Sequence, residues 1–377
     1  MSSTTHGLSH THAQRLVIKI GSVLLVEEKT GELHRTWLDA LVDDIAACKD
    51  LGQEVLIVTS GAIAIGRQPL GIGDRSLRLE DKQAAAATGQ VRLIQAYQDS
   101  FDQHGITVAQ VLLTIDNTEN RRQYLNARNT LDTLLKLGTV PIVNENDTVA
   151  TQEIRFGDND RLAARVAQMT GADTLVLLSD TDGLYTADPS QNKDAKLVPL
   201  VTEITPEIKA MAGAAQPGHG TGGMETKLSA AEICMAAGCH LVIAPGRNLN
   251  PIAALENGGD CTWFEASAEP RTARKKWIGG VLQPLGAILV DQGASTALEN
   301  GKSLLPAGVI SVEGNFHRGD AVSILTTNGD VLGKGICAYS AEDARIIMGC
   351  QSDAIEGLLG YRGREELIHR DDLVIGK

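Results

Sequence analysis

The chain has 377 residues, enough for two or three domains and a large core. Apolar residues make up 43% and charged residues 21%, the proportions of a globular protein rather than a fibrous or disordered one. A net charge of −13 argues against nucleic acid as the main partner, because phosphate backbones reward basic surfaces; a small anionic substrate in a locally positive cleft stays open.

Residues 1–14 are polar and read as a disordered tail, with His6, His10 and His12 solvated rather than metal-bound. No secretory leader is expected, because the first apolar run, Leu16 to Ile20, is short and holds Lys19. No apolar run approaches the length that crosses a membrane. The six cysteines (Cys48, Cys234, Cys239, Cys261, Cys337 and Cys350) form no CxxC pair and have no histidine at zinc spacing. They read as reduced thiols of a cytoplasmic protein.

Short β-branched runs then alternate with longer helical patterns. Strands are predicted at Leu16–Ile20, Glu54–Val58, Thr107–Leu113, Val140–Val143, Thr174–Leu178 and His240–Ala244. Helices are predicted at Thr36–Asp50, Asp81–Gln103, Arg121–Leu137, Asp160–Met169 and Thr226–Ala237. With aromatics at only 3%, the core must be built from Val, Ile, Leu and Ala. Near-continuous apolar strands between helices predict an α/β fold, a three-layer αβα sandwich around a mainly parallel sheet. Ligands of such sheets gather at the carboxyl ends of the strands.

The character changes near residue 270. Residues 269–283 read as a connector, its basic run Arg274-Lys275-Lys276 a solvated face. From 284 to 377 short strands dominate, at Ala287–Val290, Gly308–Val312, Ala321–Leu325 and Val331–Ala338, with Asn328-Gly329-Asp330 as a hairpin turn. This predicts a small β-rich domain behind a larger one spanning 15–268. No internal repeat or low-complexity segment is present.

The chemistry concentrates in the strand–helix turns. The glycine-rich run Gly218-His219-Gly220-Thr221-Gly222-Gly223-Met224-Glu225-Thr226-Lys227 leads straight into an Ala-rich helical pattern. Glycines let successive backbone N–H groups face one anion, a helix N-terminus adds partial positive charge, and Lys227 adds a full one. The spacing is not that of a Walker A loop. Four more segments fall at strand or helix ends. They are Lys19-Ile20-Gly21-Ser22, Thr59-Ser60-Gly61-Ala62, Val143-Asn144-Glu145-Asn146-Asp147 and Gly157-Asp158-Asn159-Asp160. Each alone suits a turn or an N-cap. Asp180-Thr181-Asp182-Gly183 suggests a calcium loop, but the other positions of such a loop are missing.

Together, in this order and with Ser179-Asp180 and Gly183-Leu184-Tyr185-Thr186-Ala187-Asp188-Pro189, these segments resemble the amino acid kinase family over nearly the whole chain. Leu304 to Val309 and Gly314 to Asp320 resemble the PUA domain that many bacterial members append. One departure stands in the first turn, where relatives commonly carry two small hydroxyl residues and this chain has Ser22 and then Val23.

The resemblance implies the amino acid kinase fold and ATP-dependent phosphorylation of the side-chain carboxylate of L-glutamate to L-glutamyl 5-phosphate, the first step of proline biosynthesis. Lys19, Lys227 and Asp160 are then the catalytic group, Asp160 holding the two lysines in place and charged. Asp147 receives the substrate ammonium, Ser60, Gly61 and Ala62 its carboxylates, and Asn159 and Asn144 supply amides. ATP is assigned to Lys19, Gly21, Ser22, Ser179, Asp180, Thr221, Gly222, Gly223, Met224, Glu225, Thr226 and Lys227, with Glu225 expected to face solvent because a carboxylate repels phosphate. Mg²⁺ accompanies ATP, and no protein ligand is assigned to it. Feedback inhibition by proline and a homodimer or homotetramer are also implied. Two alternatives stay open: an acetylglutamate or aspartate kinase of the same fold, and an RNA-binding PUA protein. Residues 284–377 hold 8 Lys+Arg and 13 Asp+Glu, a balance that disfavours RNA.

Overall fold

The computed structural model describes residues 12–27, 30–73, 76–149, 158–213, 223–270 and 283–376, with 272, 273, 275 and 278 between the last two. They fall into two units, Met1–Pro270 and Arg271–Lys377.

The first unit runs β1 (Arg15–Ile20), α1 (Ser22–Leu25), α2 (Arg35–Asp50), β2 (Glu54–Val58), α3 (Ala62–Arg67), α4 (Leu79–Asp102), β3 (Val108–Leu113), α5 (Ile115–Glu119), α6 (Arg121–Lys136) and β4 (Val140–Glu145). It continues with α7 (Asp158–Thr170), β5 (Thr174–Ser179), β6 (Leu200–Val201), α8 (Pro206–Met211), α9 (Met224–Ala236), β7 (His240–Pro245), α10 (Pro251–Glu256) and β8 (Thr262–Phe264). The strands form one sheet in the order β3-β4-β2-β1-β5-β7-β8-β6. Pairing is parallel from β3 to β7, whereas β8 runs antiparallel to β7 and carries β6 at the edge. The parallel expectation therefore ends at β7. Strands of two and three residues are too short to show a period, so β6 and β8 leave no pattern in the sequence.

Alternation along β1 explains both the layers and the site. Leu16, Ile18 and Ile20 pack in one core with Leu38, Leu41, Tyr97 and Phe101 of α2 and α4. Val17 packs in the opposite core with Leu162, Val166, Leu228 and Ala231 of α7 and α9. Each of these fully buried aliphatics contributes about 1.5–3 kcal/mol, which makes the register of β1 costly to change. Lys19 shares the parity of Val17. It therefore points toward α7 and α9, with Val58 and Leu177 as its lateral neighbours.

The second unit contains β9 (Gly286–Val290), α11 (Gln292–Glu299), β10 (Val309–Gly314), β11 (Ala321–Leu325), β12 (Val331–Ile336), α12 (Ala341–Ile347), α13 (Ile355–Leu359) and β13 (Leu373–Ile375). Its sheet order is β10-β9-β11-β12-β13. The β11–β12 turn is closed by the Thr326 N–H donating to Asp330 O at 2.9 Å, with Gly329 at φ +84°. Ile288, Val290, Phe316, Val322, Ile324 and Ile347 form a core of its own. Arg345 of α12 donates to the carbonyls of Val312 and Gly314, which covers the outer edge of β10. Among the described residues no helix is long and apolar enough to cross a membrane.

Candidate active site

The carboxyl ends of β1, β2, β4 and β5 lie side by side, and the first turns of α7 and α9 come to the same edge. Lys19 ends β1 one residue early, Asp160 is the third residue of α7, and Lys227 is the fourth of α9. Lys19 Nζ lies 2.5 Å from Asp160 Oδ1 and Lys227 Nζ 3.1 Å from Oδ2. The Thr226 hydroxyl donates to the same Oδ2 at 3.1 Å. All three charged side chains are buried, Asp160 completely and the lysines to within 7%.

Burial would push the Asp160 carboxyl up, but the ammonium groups of Lys19 and Lys227 and their hydrogen bonds outweigh it and hold it below the ordinary carboxylate value. Burial, with Lys19 nearby, pulls Lys227 below its ordinary value against the attraction of Asp160. Two ammonium groups share the Asp160 carboxylate, and Asp180 adds a weaker attraction on Lys227. A lysine pair of this kind is suited to hold the oxygens of a phosphoryl group by charge-assisted hydrogen bonds.

A second set of groups surrounds the ends of β2 and β4. Ser60 Oγ donates to Ile20 O at 2.8 Å, tying the β2 turn to β1. Gly61 caps α3 at φ +96°, a conformation open to glycine, and a Cβ there would meet Val26 Cγ2 at 2.9 Å. Asn159 Nδ2 donates to Thr59 O at 2.7 Å and to Asn144 Oδ1 at 3.2 Å. Asn144 is 2% exposed; its Oδ1 also accepts from the Glu145 N–H at 2.9 Å, and its Nδ2 donates to Gln90 Oε1 at 2.8 Å. The Thr59 hydroxyl and the buried Tyr97 hydroxyl share a hydrogen bond of 2.9 Å. Asp147 is half-buried with no hydrogen-bond or ion-pair partner among the described residues, and burial pushes its carboxyl up to about 6.

The α3–α4 crossing holds this region in place. A Cβ on Gly66 would lie 1.8 Å from Ala85 O, and one on Gly89 would lie 1.8 Å from Ala62 O. Only glycines permit so close an approach of two helix backbones. The crossing carries Gln90 onto the end of β4.

The other half of the edge is more open. Gly21 precedes α1 with its nearest obstacle, Leu178 O, 3.7 Å from a Cβ, so the protein itself leaves room above this turn. Ser22 is half-buried and Val23 is 39% exposed. Ser179 is buried and donates to Asp180 Oδ1 at 3.2 Å, while Asp180 is exposed and 4.0 Å from Arg247. Gly223 caps α9, Met224 and Thr226 are half-buried, and Glu225 is exposed. Thr221 and Gly222, assigned to the nucleotide from sequence, lie outside the described residues, as does Gly157. Among the described residues no group of three acidic, His or Cys side chains converges as a metal cage.

The fold thus brings Lys19, Asp160 and Lys227 into direct contact, with Asn144 and Asn159 hydrogen-bonded to each other and Asn159 to the Thr59 carbonyl that precedes Ser60 and Gly61. Sequence reading quoted Thr59 in its turn segment without giving it a role, and missed Gln90 and Tyr97. A glutamine inside an Ala-rich helix carries no local signal, and only the α3–α4 crossing gives it a role.

Comparison with known proteins identifies the family. The model of the "Amino acid kinase family" matches residues 14–245, and that of the "PUA domain" matches residues 286–359. The "Glutamate 5-kinase" of Paramagnetospirillum magneticum is 61% identical over 363 residues, covering 96% of this chain and 98% of that protein. The proteins of the same description from Rhodospirillum rubrum and Agrobacterium fabrum are 59% and 56% identical, covering 95% and 100% of this chain and 96% of each relative. With its buried Lys–Asp–Lys cluster at the strand ends, its matched first unit and its near-full-length relatives, the chain belongs to the amino acid kinase family, in the glutamate 5-kinase branch that carries a PUA domain.

Proposed function

We propose that the chain transfers the γ-phosphoryl group of ATP to the side-chain carboxylate of L-glutamate, giving L-glutamyl 5-phosphate and ADP, as the names of its relatives suggest. The observation that carries this reading is the Lys19–Asp160–Lys227 cluster, two buried ammonium groups held by one carboxylate at the strand ends. In the transfer a glutamate carboxylate oxygen bonds to the γ-phosphorus as the bond from that phosphorus to the bridging oxygen breaks. The electron pair leaves on ADP. The attacking carboxylate is already ionised at neutral pH, so no general base is needed. Lys19 and Lys227 stabilise the charge on the moving group, and Asp160 fixes their positions.

Asp147, half-buried and with no ion-pair partner among the described residues, suits the substrate ammonium, and the N–H groups of Ser60, Gly61 and Ala62 suit its carboxylates. Gly21, Ser22, Ser179 and Asp180, with the first turn of α9 from Gly223 to Lys227, take the nucleotide. Mg²⁺ fits this donor set as a companion of the phosphates, which with water would be its main ligands, and supplies charge neutralisation there. Proline carries the same ammonium and carboxylate head as glutamate, which supports feedback inhibition at this site. A cytoplasmic homodimer or homotetramer completes the reading, and light scattering measures the assembly. The net charge of −5 over residues 284–377 supports a structural or regulatory role rather than RNA binding. A salt-dependent, sub-micromolar RNA complex would overturn that role.

With ATP and hydroxylamine the protein should form glutamyl hydroxamate from glutamate. Turnover with N-acetylglutamate or aspartate alone would refute the substrate assignment. Lys227→Ala should lower kcat by at least about 100-fold, and Asp147→Ala should chiefly raise the KM for glutamate.

A further inference from the structure

The amide relay at the end of β4 has a polarity that two backbone groups dictate. The Glu145 N–H can only donate, so the atom of Asn144 it meets must be Oδ1. Asn144 therefore turns Nδ2 toward Gln90, which must answer with Oε1. At the other end Thr59 O can only accept, so Asn159 presents Nδ2 to it and keeps Oδ1 as an acceptor. The consequence falls on Gln90. Its Nε2 faces away from Asn144, is buried, and has no hydrogen-bond partner among the described residues. An amide donor left in that state is costly in a folded protein and calls for an acceptor.

The relay also has a direction along the site. Asn159 adjoins Asp160 and hence the two lysines. Two further hydrogen bonds lead from it through Asn144 to Gln90. Gln90 thus stands at the end away from the reacting carboxylate, in the strand-end region that also carries Asp147.

Resting on the assignment of glutamate as substrate, we propose that Gln90 is a specificity-determining residue whose Nε2 donates to the non-reacting α-carboxylate of the amino acid. Asp147 holds the ammonium on the same α-carbon. The relay in this way reads the amino-acid head, with Asp147 recognising its cation and Gln90 its anion.

The test compares glutamate with its α-amide, in which the α-carboxylate becomes a carboxamide, in the wild type and in Gln90→Glu. The substitution keeps the shape of the side chain and an oxygen for Asn144 Nδ2, but replaces the Nε2 donor by an acceptor. The wild type should prefer glutamate to the α-amide in kcat/KM by at least about tenfold. Gln90→Glu should shrink that preference by at least about tenfold, mainly through a higher KM for glutamate, and calorimetric binding of glutamate should weaken in parallel. If Gln90 served only to hold Asn144, Gln90→Glu would discriminate as the wild type does while Gln90→Leu lost glutamate binding, and that pattern overturns the proposal. Should Gln90→Glu fail to fold, Gln90→Met answers the same question. It should level the two substrates, and an undiminished preference would refute the role. A wild type that does not phosphorylate glutamate would refute the substrate assignment itself, an outcome separate from any of these.

Discussion

Asp147 shows how a single residue trades stability for binding. Its carboxyl is raised from 3.8 to about 6 by burial, with no cation beside it among the described residues. A raised carboxyl means that the folded chain holds the proton more tightly than the unfolded one. Its contribution to stability is therefore full below pH 3.8 and is lost as pH rises through 6. At neutral pH the bare charge costs up to about 3 kcal/mol. Asp147→Asn should accordingly raise the melting temperature of the ligand-free protein at pH 7.5 while raising the KM for glutamate at least about tenfold; calorimetry and steady-state kinetics check the two halves. The wild-type KM for glutamate should also climb as pH falls below 6, about tenfold per unit. Asp160 behaves in the opposite sense, because its lysines keep it ionised. Much of this pair of contrasts was legible in the sequence. A lysine that interrupts the apolar run Leu16–Ile20 demands a buried partner, and a glycine-rich run ending in Lys227 demands an anion. Gln90 was not, because its meaning arises from a contact between chain segments dozens of residues apart.

Among the elements, the α3–α4 crossing sets how well the substrate side is built. Gly66 and Gly89 let the two backbones touch, so any side chain at either position must push α4 away from the Ser60–Ala62 turn and from Asn144. Gly89→Ala should lower stability by about 1–3 kcal/mol in urea titrations. It should also weaken glutamate more than ATP, since the nucleotide half of the edge rests on α1 and α9. Equal loss for both ligands would show that the crossing supports the whole sheet rather than one side of it. The long elements β1, β2, α2, α4, α6 and α9 were legible from their periodicity to within about two residues at each end. The short ones were not. Thr262–Phe264 pairs antiparallel with β7 and buries Trp263 and Phe264 in the two opposite cores, a tertiary placement that three residues cannot announce.

At the scale of the whole molecule, each unit builds a hydrophobic core from its own described residues. Ile324 is fully buried in the second core. Ile324→Ala should destabilise that unit by about 2–5 kcal/mol, seen as one shifted transition in calorimetry, while ATP and glutamate shift the other transition alone. Strand length and helix length alter together near residue 270 in the sequence, and the second unit begins at Arg271. The buried Lys–Asp–Lys cluster also bears on how fast substrates arrive. A body of net charge −13 repels an incoming nucleotide at long range, whereas the attraction of the two lysines begins only inside the cleft. Raising salt from about 10 to 150 mM shortens the reach of that repulsion from roughly 30 to 8 Å and leaves the buried pair little screened. Stopped-flow association of ATP should therefore quicken with added salt, the reverse of what a steered encounter gives, so that for this protein a saline medium opens the path rather than closing it.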